Sequence, residues 1–297
     1  MTTQHFDLQS HSLHSDGALP PAEVIAHAAA SGMTLTALTD HDTLAGVDEA
    51  LAAGAEHGVA VVPATEVTVI DDVQDDLHVL GYRVDHRDAA LLELLAASRA
   101  DRDLRAERMG DALRLAGLKL DERAIRARSA AGQPVGRPHL AQAVLSEPAN
   151  EARLASEGIS DVGALIVAYL IPGAQGFVAR TMPTVPVVID AIHAAGGVAI
   201  WAHPFWDLSD PELVEATVHR FAAAGLDGVE AFYVAHTREQ TDLLVAVCRE
   251  LDLLTTGSAD FHGPDHRLFS RFGAFSRHGH DAVLGPLAQV GTRGEGG

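Results

Sequence analysis

The chain has 297 residues, of which 47% are hydrophobic and 21% charged, and its formal net charge at pH 7 is −20. This length and apolar content allow one barrel-sized domain with or without an insertion, and they exclude disorder as the dominant state. The negative charge argues against general affinity for duplex nucleic acid, because an acidic surface repels phosphates. Small anionic substrates remain compatible with it, since metal ions and arginines can reverse the field inside one pocket.

The apolar runs are too short to form a membrane span. The run 165–171 is far below the roughly 20 residues that cross a bilayer, and residues 1–7 do not read as a signal peptide. We therefore expect a soluble, cytoplasmic protein with no membrane partner. Cys248 is the only cysteine, so an intrachain disulfide is excluded and thiol catalysis has no support.

The first third of the chain predicts alternating strands and helices. A helix at 22–31 has proline before its start and glycine after its end, and a second helix at 46–57 is closed by Gly58. Short β-branched or apolar runs predict the first four strands, at 6–8, 34–38, 59–62 and 77–82.

From residue 88 the pattern becomes almost purely helical. Helices are predicted at 88–116, 121–128, 137–145, 151–157 and 161–170, followed by a glycine- and proline-marked loop at 172–186. We interpret residues 91–182 as a helical insertion that caps the substrate, between a first barrel segment at 1–90 and a second at 183–297.

The alternation resumes after the insertion. Helices are predicted at 187–195, 210–224 and 237–251, and strands at 198–201, 228–232 and 253–256. Seven strands in repeated strand–helix units predict an α/β fold, a distorted (β/α)7 barrel of parallel strands with the insertion between strands 4 and 5.

Metal-ligating side chains recur at one structural position in this pattern. The stretch 7–17, DLQSHSLHSDG, places Asp7, His11, His14 and Asp16 close together, in a mixture of nitrogen and oxygen donors that suits divalent metals. Alone, such a turn is equally typical of a solvated loop.

The same residue types return after the other strands. Candidates just after predicted strand ends are His11, Asp16, His41, Glu66, His203, Asp260 and His262, and His78 lies near the start of its strand. The ends of parallel barrel strands converge on one face, where catalytic groups sit. The sequence therefore predicts a site for several metal ions.

These residues also carry a family resemblance. The motifs are DLQSHSLHSDG at 7–17, LTDHD at 38–42, Glu66, His78, GRPH at 136–139, AHP at 202–204 and GSADFH at 257–262. Together they resemble the polymerase and histidinol phosphatase (PHP) family, over nearly the whole chain. The resemblance is to the stand-alone branch that includes 3',5'-nucleoside bisphosphate phosphatases and a 5'-to-3' exoribonuclease.

The resemblance implies a site for two or three divalent ions, commonly manganese, iron or zinc. It implies that Glu66 bridges two ions, and that the ligands are Gln9, His11, Asp16, His41, Glu66, His78, His203, Asp260 and His262. Of these, it assigns His11 and Asp260 to a first ion and His78 with His203 to a second.

The implied third ion is held by Asp16, His41 and His262. Arg137 and His139 match positions that reach from the insertion toward the substrate phosphate, and His236 would line the same pocket.

Gln9 departs from the family pattern, in which His-x-His occupies this position. A glutamine offers only a neutral carbonyl oxygen, which is a poorer ligand than imidazole for most transition metals. We therefore expect the first ion to bind more weakly, to be a harder ion, or to be absent.

The resulting hypothesis is a metal-dependent phosphohydrolase that acts on small phosphomonoesters by attack of a metal-bound hydroxide. The favoured substrate is the 3'-phosphate of a nucleoside 3',5'-bisphosphate. Alternatives are 5'-to-3' cleavage of short RNA, histidinol-phosphate hydrolysis, hydrolysis of C–N bonds, and a degenerate protein that binds metal or nucleotide without turnover. The predicted partner is a small phosphorylated molecule; the oligomeric state is not predicted.

Overall fold

The computed structural model describes residues 5–72, 75–130, 135–179 and 183–289. The chain divides into two compact units. We call Met1–Ala96 together with Pro183–Gly297 the barrel unit, and Ala97–Met182 the helical unit.

The barrel unit contains one seven-stranded sheet in which each strand pairs with the next along the chain. Its strands are β1 (Phe6–Asp7), β2 (Leu35–Leu38), β3 (Ala60–Ile70), β4 (Asp75–Tyr82), β5 (Val198–Trp201), β6 (Gly228–Tyr233) and β7 (Leu254–Ser258). The two edges meet, since Leu8 N donates to Gly257 O at 3.2 Å and Ser10 forms a parallel bridge with Phe261. The sheet is thus nearly closed into a barrel, which confirms the predicted seven-stranded α/β fold.

One strand runs against the prediction of a parallel barrel. β4 is antiparallel to both β3 and β5, whereas the other strand pairs are parallel. The physical reason is the connection: only residues 71–74 separate β3 from β4, and a parallel crossover needs a dozen or more residues. Because β4 runs in the opposite direction, its first residues lie where the other strands end, and His78 therefore reaches the same face.

β3 is also longer than predicted. The strand continues through Val67, Thr68, Val69 and Ile70, so Glu66 lies inside it and not after its end. These β-branched residues favour continued extended backbone. The expectation that His11, His41, His203 and Asp260 follow strand ends is confirmed by the ends of β1, β2, β5 and β7.

Because side chains alternate between the two faces of a strand, the apolar core residues and the site residues point into the same barrel interior. In β3, Val62 and Ala64 are buried in the core that also holds Leu80 and Tyr82 of β4. Successive side chains of a strand point to opposite faces, so Glu66 continues the first row and His78 the second. The polar site therefore lies inside the barrel, directly next to its apolar core.

The helices surround the barrel or form the helical unit. Within the described residues they are α1 (Pro21–Ala30), α2 (Val47–His57), α3 (Ala89–Leu115), α4 (Glu122–Ala130), α5 (Arg137–Leu145), α6 (Glu151–Ser156), α7 (Val162–Tyr169), α8 (Val185–Ala194), α9 (Pro204–Asp207), α10 (Pro211–Ala223) and α11 (Arg238–Glu250). No helix in these described ranges is both long and apolar enough to cross a bilayer.

The helical unit has a core of its own. Met109 and Leu113 of α3 pack with Leu140 of α5 and Leu165 of α7. Its described residues contain no strand, as the sequence predicted for the insertion.

Close packing of α2 on β3 depends on Gly54. A Cβ atom at this position would lie 2.5 Å from Val61 Cγ2 and 2.8 Å from the carbonyl oxygen of Val59. Gly110, inside α3, has no such neighbour: its nearest contact would be at 3.6 Å.

We expect Gly54→Ala to destabilise the protein by about 1–3 kcal/mol, because the added methyl overpacks the α2–β3 contact. The matched control Gly110→Ala should be neutral or stabilising by up to about 1 kcal/mol, since alanine favours helix and the space is open. Urea unfolding followed by circular dichroism measures both. Equal unfolding midpoints for the two variants would contradict the packing argument.

Candidate metal centre

The loop after β1 is held in place by Asp40. The buried Asp40 carboxylate accepts hydrogen bonds from Ser12 N at 2.7 Å, Ser12 Oγ at 2.6 Å and Ser15 Oγ at 2.7 Å. The loop also folds tightly on itself, because a Cβ on Gly17 would lie 2.1 Å from His11 O. Both constraints place the two sides of the loop against one another, which fixes His11 and Asp16.

The Glu66 carboxylate lies at the centre of the site. Its Oε1 is 3.0 Å from His78 Nδ1 and 3.1 Å from His203 Nε2. Its Oε2 faces a different set, with His11 Nε2 at 3.1 Å and Gln9 Nε2 at 2.9 Å. Since the two oxygens address separate groups of donors, the geometry is that of a carboxylate able to bridge two ions.

Asp16 lies near three imidazoles, of which two are new to the set. Its Oδ1 is 3.5 Å from both His11 Nδ1 and His262 Nε2, and its Oδ2 is 3.6 Å from His41 Nε2. Asp260 Oδ1 lies 3.1 Å from His11 Nε2. His11 therefore contacts Asp16 through Nδ1, and Asp260 and Glu66 through Nε2.

The structure brings together His11, Asp16, His41, Glu66, His78, His203, Asp260 and His262. Three sets of donor atoms among the described residues are compact enough to hold an ion: His11, Asp16 and His41; His11, Asp260 and His262; and His41, Glu66 and His78.

The donor chemistry fits divalent ions. His11 Nε2, His41 Nδ1 and Asp260 Oδ1 are buried near other ligand candidates, yet within the described part of the chain none of their contacts has the geometry of a hydrogen bond. Buried polar atoms are normally paired, so unpaired nitrogen and oxygen atoms that converge are typical of ligands. Imidazole with carboxylate suits zinc, iron or manganese.

The electrostatics of the cluster attract positive charge. Burial alone would raise the pKa of Glu66, but the surrounding imidazoles outweigh it and hold that pKa well below its usual range. Burial would lower the pKa of His203, but Asp207 and Glu66 raise it well above the ordinary value. The negative field that raises the pKa of His203 also favours divalent cations, which compete with protons for imidazole lone pairs.

Two of these residues have strained backbones. His203 has φ 30° and Asp260 has φ 55°, in the left-handed region that favours glycine. Such conformations cost on the order of 1–3 kcal/mol each and persist where surrounding contacts impose them. The turn at His203 leads from β5 into α9 and directs its imidazole toward Glu66.

Supporting residues hold the ligands, and the sequence analysis did not single them out. Asp207 Oδ2 lies 3.4 Å from His203 Nδ1, and Tyr233 OH donates to Asp260 Oδ2 at 2.8 Å. Partners of this kind orient ligating groups. Asp207 is four residues after His203, which is a helical spacing that could have indicated the pair.

Asp7 belonged to the candidate cluster of the opening stretch, but its carboxylate is used elsewhere. It accepts hydrogen bonds from Ala259 N at 3.2 Å and Gly273 N at 2.7 Å. Burial raises the pKa of Asp7 to about 7, although these backbone hydrogen bonds act to lower it. Asp7 thus ties β1 to the chain after β7.

Gln9 is fully buried beside Glu66. Its Nε2 donates to Glu66 Oε2 at 2.9 Å, and Ser258 Oγ donates to its Oε1 at 3.3 Å. A carboxylate can only accept, so the amide atom that faces Glu66 is the NH₂ group. In this orientation the amide oxygen faces Ser258, and a ligand role for Gln9 stays a prediction that requires the amide to turn.

The three residues predicted to contact substrate lie in different places. Arg137 and His139 begin α5 in the helical unit, where Gly136 N donates to His139 Nδ1 at 3.0 Å. His236 follows β6 in the barrel unit, with its ring 5.4 Å from that of Tyr233. Its Nδ1 donates to Ala231 O at 3.2 Å, and its buried Nε2 has no hydrogen-bond partner in the described ranges.

Comparison with known proteins identifies the family. The PHP domain model matches residues 7–122. A 5'-3' exoribonuclease of Haemophilus influenzae is 33% identical over 88% of this chain and 91% of its own length. The chain belongs to the PHP family. The resemblance seen in the sequence is confirmed, and the protein is a metal-dependent phosphoesterase.

Other PHP relatives support the assignment. A 3',5'-nucleoside bisphosphate phosphatase of Chromobacterium violaceum is 31% identical over 88% of each chain. Among solved structures, a candidate metal-dependent phosphoesterase of Bifidobacterium adolescentis is 28% identical with a TM-score of 0.73, covering 92% of each chain. A Chromobacterium violaceum protein named an amidohydrolase, with bound sulfate and no metal, is 30% identical with a TM-score of 0.75, covering 90% of each chain.

We expect Gln9→His to increase the metal content of this PHP protein, because an imidazole would add a nitrogen donor beside Glu66 and His11. Elemental analysis of the purified variant and wild type gives the metal-to-protein ratio. Gln142→His, on an exposed part of α5, controls for the gain of one histidine. Unchanged metal content and activity in Gln9→His would remove Gln9 as a limit on metal binding.

Proposed function

We propose that this protein releases the 3'-phosphate of nucleoside 3',5'-bisphosphates. The observation that supports this most is the Glu66-centred cluster, whose oxygens address two sets of donors. A relative with 31% identity over 88% of both chains is named a 3',5'-nucleoside bisphosphate phosphatase. The ions themselves, their number and the choice among manganese, iron and zinc belong to the proposal.

The residues of the barrel unit would hold the reacting centre. When bound, the ions supply a Lewis acid that makes water nucleophilic near neutral pH and offsets charge on the phosphoryl oxygens. Glu66 would bridge, with His11 and Asp260 on one side and His78 and His203 on the other. Tyr233 fixes the Asp260 carboxylate through its 2.8 Å hydrogen bond.

Asp16, His41 and His262 would hold a third ion. Their mutual contacts of 3.5–3.6 Å through Asp16 place one carboxylate between two imidazoles.

His236 would orient the substrate through a hydroxyl group. Because its Nδ1 donates to Ala231 O, a neutral ring leaves Nε2 as an acceptor. Burial lowers the pKa of His236 to about 4, so the ring is neutral at pH 7. A sugar hydroxyl is the kind of donor this buried acceptor lacks.

Arg137 and His139 would contact the substrate phosphate from the helical unit. A guanidinium offers two parallel hydrogen bonds that match phosphoryl oxygens, which a point charge such as lysine does not. His139 would add a neutral donor through Nε2, since its Nδ1 accepts from Gly136 N.

A second candidate is 5'-to-3' cleavage of short RNA, because a relative with 33% identity is named a 5'-3' exoribonuclease. The net charge of −20 disfavours long polymers, so we confine this candidate to short oligonucleotides. A cytoplasmic location, as the sequence predicted, completes the proposal.

We expect Arg137→Ala to lower kcat/KM for phosphate release by more than threefold, because it removes a charge-assisted contact to the phosphate. Steady-state kinetics measure the change. Arg126→Ala is the matched control, since Arg126 is an exposed arginine of the same helical unit that pairs with Glu122. A kcat/KM for Arg137→Ala within threefold of wild type would contradict the phosphate role.

We expect manganese-loaded protein to release inorganic phosphate fastest from adenosine 3',5'-bisphosphate in a panel with adenosine 5'-monophosphate, histidinol phosphate and short 5'-phosphorylated RNA. Metal content is measured on the same sample. Turnover of histidinol phosphate alone would overturn the nucleotide assignment. Fewer than two bound ions with no phosphate release would favour a binding protein without turnover.

A further inference from the structure

Trp206 is a large aromatic residue left half exposed beside the metal centre. It lies in α9, three residues after His203, and 52% of its surface is accessible. Trp201, the other tryptophan, is fully buried in the core. Single exposed apolar residues are ordinary on a protein surface, so the neighbours of Trp206 decide its meaning.

Other rings hold the indole in a defined orientation. Its ring centroid is 5.5 Å from that of Phe269 at an angle of 61°, and 6.1 Å from that of Tyr233 at 72°. These are the edge-to-face arrangements that aromatic pairs prefer. Phe269 in turn stacks on His266, with centroids 4.9 Å apart and planes only 14° from parallel. The three side chains Trp206, Phe269 and His266 form what we call the aromatic platform.

The platform is continuous with the metal ligands at two points. Tyr233, which packs on Trp206, has its ring 5.2 Å from His203 and its hydroxyl on Asp260. On the other side, Phe269 lies 5.2 Å from His262. Tyr233 and Phe269 are buried, so the accessible aromatic surface next to the cluster is that of Trp206 and the exposed His266.

The chemistry of this surface suits a nucleobase. Every base has a flat π face, and stacking on tryptophan or phenylalanine binds it without requiring a particular hydrogen-bonding edge. A phosphorylated substrate without an aromatic ring would gain no stacking from it.

We propose that the aromatic platform, through Trp206, binds the nucleobase of the substrate and selects nucleotides over phosphate esters that lack a base. The proposal rests on the proposed function, because it assumes that phosphate binds at the metal cluster. It predicts tolerance toward the identity of the base, since stacking does not read hydrogen-bonding groups.

The kinetic test compares adenosine 3',5'-bisphosphate with its abasic analogue, 1,4-anhydroribitol 3,5-bisphosphate. We expect Trp206→Ala to raise KM for the nucleotide by about 5- to 150-fold, the range measured for loss of one stacked base, and to leave kcat/KM for the abasic analogue within threefold. Trp206→Phe should restore most of the nucleotide affinity. Leu268→Ala, at a neighbouring residue with 42% of its surface exposed, is the control and should change neither substrate. Equal losses for both substrates in Trp206→Ala would overturn the proposal.

A binding test separates this inference from the proposed function. Adenosine 5'-monophosphate should quench the fluorescence of wild-type protein and not that of Trp206→Phe, in which buried Trp201 is the remaining emitter. Ribose 5-phosphate should quench neither. If wild type hydrolyses no bisphosphate yet shows this quenching, the proposed function fails and the platform stands. Absence of quenching in wild type at saturating nucleotide would overturn the platform.

Discussion

The buried charge of Glu66 is the constraint on which the site depends. A carboxylate buried inside the barrel is stable only if its oxygens have partners, and Glu66, on β3, finds them in residues associated with β1, β4 and β5. His11 Nε2 and Asp260 Oδ1 lie 3.1 Å apart beside Glu66 without forming a hydrogen bond, so their lone pairs are available to an ion. One requirement of protein folding, the pairing of a buried anion, thus produces a set of ligands ready for cations.

The barrel makes this arrangement possible because its strands place their metal-ligand candidates at the same end of the barrel. The antiparallel β4 is the informative exception. The β3–β4 hairpin pairs His78 with Thr68, two residues after Glu66, so the His78 side chain points into the same interior as that of Glu66. A parallel strand after a helical crossover would have presented its last residues there instead. Other residues hold the ligands in place. Asp40 accepts hydrogen bonds from the loop after β1, Asp207 lies beside His203, and Tyr233 donates to Asp260.

Gln9 and Trp206 bear on two different properties of the site. Where the family motif has an imidazole that can bind a metal ion, Gln9 has an amide whose NH₂ group donates a hydrogen bond to Glu66. Trp206 follows the metal-ligand candidate His203 by three residues and leaves 52% of its surface accessible. The first bears on how many ions are held, and the second on which phosphate esters gain affinity.

The sequence by itself determined the fold class, the family, the metal chemistry and the helical character of the insertion. These follow from local information: residue periodicity, turn signals, and the recurrence of histidine and carboxylate after strands. Only the tertiary structure decided the direction of β4, the full length of β3, the contacts of each Glu66 oxygen, the orientation of the Gln9 amide and the platform around Trp206. The direction of β4 and the length of β3 depend on where these two neighbouring strands begin and end, and sequence patterns place such boundaries only to within a few residues. The other features depend on contacts between residues far apart in the chain, and neither periodicity nor residue type specifies which distant partner a side chain will meet.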